Sequence, residues 1–229
     1  YFEEDLLALV NLHNFARDPE LRSDAGLLID IILFEMSLHN YHGIFGSTHG
    51  RTYVRMIKGG KYESSSSTLK LVFGMGVFNK PDAMGAVSLA TSSYRCPSII
   101  QKIASDYSRP IRCRERHSIN IEDAPQYGLS FTDELDCHLY RSIQDYANPH
   151  IIKLSQKISP KYAVRQHEDY ESYIRKYNKQ KKMHGQIIDP ALDYHALTEV
   201  NVETYRTADY ILSCARDYRP GSPGNQQHI

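Results

Sequence analysis

Asp18-Pro19-Glu20-Leu21-Arg22-Ser23-Asp24-Ala25-Gly26-Leu27-Leu28-Ile29-Asp30-Ile31-Ile32-Leu33-Phe34-Glu35-Met36-Ser37-Leu38-His39 is the stretch on which the fold class turns. Asp18 reads as a helix N-cap and Pro19 as the first helical residue, a position whose N–H has no intrahelical partner anyway. Leu21, Ala25, Leu28, Ile29, Ile32 and Met36 recur at steps of three and four, which predicts one buried stripe running to about His39. Upstream, Leu6, Leu7, Leu9, Val10 and Leu12 predict a first helix with a broad apolar face. The short turn between the two makes them an antiparallel hairpin.

The same pattern returns along the chain. Serines 64–67 precede a short apolar helix over 68–73, with one serine as its cap and Gly74 and Gly76 at its end. A small-residue helix follows over 82–91 (Ala83, Gly85, Ala86, Ala90), another over 97–105, and a further pair over 132–146 and 149–158. Two segments depart from the helical period. Over 111–121, Arg112, Arg114 and Arg116 alternate with Ile111, Cys113 and Glu115, which predicts an edge strand or an extended arm. Residues 204–218 lose helical phase and run into Arg219-Pro220-Gly221-Ser222-Pro223-Gly224, a strand followed by a turn. The charged stretch 161–182, with Tyr162, Tyr170, Tyr173 and Tyr177, reads as a solvated helix or a flap. The expectation is a mainly α chain of antiparallel helix hairpins with a short β-prone C-terminal segment.

Composition narrows the function classes. The 27 basic and 27 acidic residues balance, and no basic stripe exists beyond 179–182, so nucleic acid is not an expected partner. The longest apolar run, 27–36, contains Asp30 and Glu35 and falls short of the roughly 20 residues that span a bilayer. No membrane segment is expected. Opening on Tyr1, without an initiator Met, a charged leader or a cleavage pattern, the chain reads as a fragment or a processed product. Cys96, Cys113, Cys137 and Cys214 form no Cys-x-x-Cys pair, which argues against a zinc knuckle or a redox motif; two disulfides are allowed, with no pairing implied.

The chemistry-bearing residues concentrate just past the apolar helix, in His39-Asn40-Tyr41-His42-Gly43-Ile44-Phe45-Gly46-Ser47-Thr48-His49-Gly50-Arg51-Thr52-Tyr53. The glycines at 43, 46 and 50 predict a folded-back loop above the helix end. Three uses of it compete. The first is acid/base chemistry on a glycan, with His49, Tyr41 or Tyr53 moving the proton and Arg51, Asn40 or His42 holding an anion. Elimination from a uronic acid sugar needs its carboxylate neutralised, the adjacent proton removed and the leaving oxygen protonated, and a tyrosine base needs its phenol, about 10 in peptides, lowered by a cation such as Arg51. Hydrolysis needs two carboxyl groups roughly 5–10 Å apart, and Glu35 and Asp30 sit on different helix faces. The second use is metal binding by His39, His42 and His49 with Asp193 and His195, although the His-Glu-x-x-His pattern is missing. The third is a non-catalytic glycan-binding or scaffold module that also uses Tyr94, Arg95, residues 112–117 and residues 226–228. A serine or cysteine triad has little support, because no Gly-x-Ser-x-Gly elbow occurs and Cys96 precedes a proline.

Three segments together carry a resemblance: Tyr1-Phe2-Glu3-Glu4-Asp5-Leu6-Leu7-Ala8-Leu9, Gly46-Ser47-Thr48-His49-Gly50-Arg51-Thr52-Tyr53, and Asp217-Tyr218-Arg219-Pro220-Gly221-Ser222-Pro223-Gly224-Asn225-Gln226-Gln227-His228-Ile229. They resemble the central part of large, mostly uncharacterised bacterial secreted proteins whose layout, an (α/α) toroid followed by a β-sandwich, is that of heparinase- and alginate-lyase-type polysaccharide lyases. The resemblance implies a helical toroid segment over 1–200 and the start of a β-sandwich over 201–229. It implies a lyase cleaving an acidic polysaccharide, with a glycoside hydrolase as the alternative, and a secreted or periplasmic location. The lyase pattern of Asn, His, Tyr and Arg maps to Asn40, His49, Tyr53 and Arg51, with Tyr41 as a further catalytic candidate and His42 and Arg95 as further substrate contacts. No cofactor is implied; the partners are a poly- or oligosaccharide and the downstream β-sandwich domain. With 17 Tyr and no Trp, sugar stacking falls to tyrosine.

Overall fold

The computed structural model describes residues 2–48, 52–142, 149–162 and 199–217. Among the described residues about half are helical, with a small antiparallel sheet. The chain divides into two compact units, one of Tyr1–Glu115 with Val202–Cys214, the other of Arg116–Asn201 with Ala215–Ile229.

In the first unit, α1 (Phe2–Phe15) and α2 (Pro19–Leu38) form the expected hairpin. Asp18 Oδ1 accepts the Glu20 N–H at 2.9 Å, and Arg22 Nε donates to the His13 carbonyl at 3.3 Å, which closes the turn. The buried stripe of α2 is Ala25, Ile29, Leu33 and Met36. Leu21 and Leu28, expected in that stripe, are exposed together with Leu27, Ile31 and Phe34. This helix is apolar nearly all round, so periodicity alone could not choose the face that α1 and α6 cover. Leu6, Val10, Ile29, Leu33, Met36, Phe45, Leu69, Leu89, Tyr94 and Ile100 form the core.

Three short helices complete this core: α4 (Ser66–Phe73), α5 (Met84–Ala90) and α6 (Ser98–Ser105). The expected end of α4 is observed, with Gly74 left-handed at φ 75°. No serine side chain caps its start; instead Glu63 Oε2 accepts the Ser65 N–H and hydroxyl, both at 2.8 Å. The first turn of α5 likewise lacks a cap of its own. Buried Glu3 of α1 supplies it, accepting the Gly85 N–H at 2.8 Å and the Thr68 hydroxyl at 2.6 Å. Gly85 is small for this reason, since a Cβ there would stand 3.0 Å from Glu3 Oε2. A short helix α3 (Val54–Lys58) and a 3-10 turn (Gly60–Tyr62) were not anticipated.

β3 (Ile111–His117), β4 (Val200–Arg206) and β5 (Ile211–Arg216) form a sheet in the order β3-β4-β5, so the Arg-alternating segment is an edge strand as expected. The expected strand over 204–218 is instead two, with a turn at residues 207–210 where the Thr207 N–H donates to the Tyr210 carbonyl at 2.8 Å. In the second unit, a 3-10 helix (Ile121–Tyr127) precedes the packed pair α7 (Glu134–Ser142) and α8 (Pro149–Tyr162). Ala124, Tyr140 and Ile151 form one apolar cluster there, and Cys137, Leu154 and Ile158 another. The expected segment 161–182 lies almost wholly outside the described residues.

Candidate functional site

Past the end of α2 the chain makes a two-residue hairpin, β1 (Asn40–Tyr41) against β2 (Ile44–Phe45), with Asn40 opposite Phe45 and Tyr41 opposite Ile44. Its turn residues, His42 at φ 51° and Gly43 at φ 86°, are both left-handed, the signature of a type I′ turn. Three groups hold it there. The Gly43 N–H donates to Asn40 Oδ1 at 2.9 Å, the His42 N–H donates to the Tyr107 hydroxyl at 2.8 Å, and Asn40 Nδ2 donates to the Ala104 carbonyl at 2.9 Å. Gly43 also lies against Gly76, so closely that a Cβ on Gly43 would sit 2.2 Å from the Gly76 backbone.

The outcome is a small aromatic surface. The exposed His42 imidazole stacks on the Tyr107 ring, centroids 4.4 Å apart and planes 19° from parallel, and Tyr41 meets His42 edge-on at 4.6 Å. Of the expected site residues, Asn40, Tyr41 and His42 therefore come together. Asn40 is fully buried and spends its amide inside the fold. Tyr53 precedes α3 and is exposed, and Arg95 lies in the turn between α5 and α6, donating to the Ser92 and Tyr94 carbonyls at 2.8 and 2.7 Å. His49, Arg51, Asp193, His195 and residues 226–228 lie outside the described residues. Asp30 accepts a hydrogen bond from the Tyr94 hydroxyl at 2.5 Å; burial first, then this bond and the charge of Asp30, push that phenol far above its ordinary value.

Two residues essential to this surface carry no mark in the sequence. Tyr107 follows α6 without a motif. Arg206, 2% exposed, reaches from β4 to donate to the carbonyls of Ser37, Asn40 and Ile103, each at 2.8 Å, and of Asp106 at 3.3 Å. Ser37, Ile103 and Asp106 lie at the C-terminal ends of α2 and α6, where carbonyls lack intrahelical partners and a cation is also favoured by the helix dipole. The same guanidinium lies 5.1 Å from the Tyr107 centroid.

Beneath the hairpin lies a second polar group. His39, the C-cap of α2, is wholly buried, and its Nε2 is 2.7 Å from Glu115 Oε1. The Cys113 thiol donates to the same oxygen at 2.8 Å. Burial first, then the hydrogen bond to Glu115 and the charges of Glu115 and Glu35, push this thiol up to about 12. It is thus protonated at neutral pH and no nucleophile. All four cysteines are free thiols. The signal for this group was the alternation in 111–117, which sends arginines outward and Cys113 and Glu115 inward.

No helix among the described residues is long and apolar enough to cross a membrane. Comparison with protein-family models, with curated proteins and with solved structures finds no match.

Proposed function

We propose that the chain is part of a carbohydrate-active enzyme, a polysaccharide lyase acting on an acidic polysaccharide, with the Tyr41-His42-Tyr107 surface as a wall of its sugar site. One observation carries this reading: an exposed histidine held in a left-handed turn between two tyrosines. Strained polar residues fixed by surrounding structure cluster at functional sites. Tyrosine and imidazole faces suit the apolar side of a sugar ring, and the Tyr41 phenol beside the His42 imidazole is a pair able to take and return a proton. In this reading Arg51 neutralises the uronate, and His49 and Tyr53 share the proton transfer. The toroid belongs to the same proposal, the exposed apolar residues of α2 (Leu27, Ile31, Phe34) being suited to a further helix hairpin.

A second reading, a glycan-binding module without catalysis, is favoured by the commitment of the Asn40 amide and the Tyr107 hydroxyl to the hairpin. Incubation with a panel of acidic polysaccharides separates the two. A lyase produces the ultraviolet absorbance of an unsaturated uronate, lost in Tyr41→Phe, His42→Ala, His49→Ala or Tyr53→Phe. New reducing ends without that absorbance make it a hydrolase. Binding without either product makes it a module, and no binding overturns the glycan reading.

A further inference from the structure

We propose that Glu35, His39, Cys113 and Glu115 form a binding site for a single transition-metal ion of the Zn2+ type. Glu35 and His39 are four residues apart at the end of α2 and so share one helix face. Cys113 and Glu115 are two apart on β3 and share one strand face, the more buried one. The fold brings the two faces together. The ligand atoms of His39, Cys113 and Glu115 all lie within 4.8 Å of one another, and Glu35, within that distance of Glu115 in a second group, completes the set by turning toward the ion.

The donor set is imidazole, thiolate and carboxylate, which suits zinc-type ions and not the all-oxygen shells of calcium or magnesium. A tetrahedral ion with bonds of about 2.0 Å to nitrogen or oxygen and 2.3 Å to sulfur keeps its donors roughly 3.3–3.5 Å apart. The donors now stand 2.7 and 2.8 Å from Glu115 Oε1, bridged by hydrogens, so they need to open by about half an ångström. Side-chain rotation supplies that. On binding, the Cys113 S–H loses its proton to solvent as the metal–sulfur bond forms, and His39 gives up the Nε2 proton to solvent while Nδ1 takes one from it, so that the neutral ring coordinates through Nε2.

His39 Nδ1 is buried and has no hydrogen-bond partner among the described residues, so nothing there competes with Nε2, which faces Glu115 and Cys113, for the metal. The site is independent of the glycan proposal, since neither Cys113 nor Glu115 belongs to the aromatic surface.

The test uses the whole reduced chain loaded with Zn2+ or Co2+. One ion per chain is expected, with X-ray absorption at the zinc edge showing one sulfur at about 2.3 Å beside nitrogen and oxygen at about 2.0 Å. The Co2+ form should show thiolate-to-cobalt charge transfer and tetrahedral ligand-field bands. Both signals should persist in Cys96→Ser and Cys214→Ser and vanish in Cys113→Ser. A zinc shell without sulfur in the unaltered chain overturns the proposal even if Cys113→Ser fails to fold, and so does a cobalt band that survives that substitution.

Discussion

At the scale of single residues, two glycines with nearly the same backbone angle carry different burdens. Gly74 has φ 75° and open space where a Cβ would go, whereas Gly43 has φ 86° and the Gly76 backbone 2.2 Å from that point. Gly74→Ala should therefore cost only the left-handed penalty, about 1–2 kcal/mol. Gly43→Ala adds a backbone collision and should cost about 3 kcal/mol or more. Urea unfolding of the two variants checks this; equal losses would mean that the approach of the two backbones relaxes freely. The sequence showed both residues as helix-end or loop glycines. What distinguishes them is a contact between segments 33 residues apart, which no local pattern records.

At the scale of elements, the capping of α5 by a side chain of α1 has a consequence for pH. Glu3 is buried, and desolvation outweighs its hydrogen bonds to Thr68 and to the first turn of α5, so its carboxyl is held above the ordinary carboxylate range. The folded chain then binds more protons than the unfolded one between those two values, and this group's contribution falls as pH rises through the window and is flat above it. Glu3→Gln keeps an acceptor for the Gly85 N–H and an amide that can donate to the Thr68 hydroxyl, while removing the charge. The variant's stability relative to the unaltered chain should thus improve between about pH 4 and pH 7. Chemical denaturation at both pH values measures it; a difference that does not change with pH would show that the carboxyl titrates normally. The existence of α1 and α5 was legible from spacing and small residues. The capping of α5 by Glu3 was not, because Glu3 looks like any acidic residue in a helix's first turn.

At the scale of the molecule, Arg206 closes the first unit by binding the carbonyl ends of α2 and α6 from a strand far along the chain. Arg206→Met should remove about 3–5 kcal/mol, since four carbonyl contacts, two of them buried, are lost at once. Arg206→Lys should rescue little of it, because one ammonium cannot reproduce the planar fork. Thermal unfolding of both variants is the check, and near-full rescue by lysine would reduce the role of Arg206 to its charge. What the sequence by itself determined is the local part of this protein: the Asp18-Pro19 helix start, the Gly74 helix stop, the α1–α2 hairpin and the two-residue alternation of β3. Each is set by groups within about four residues of one another, through backbone hydrogen bonding, sterics and side-chain period. Only the tertiary structure decided which face of α2 is buried, that His39 meets Glu115 across 76 positions and that Arg206 meets Ser37 across 169. Partner choice at such separations is settled by close packing and by the need to satisfy every buried polar group, and both are properties of the assembled chain.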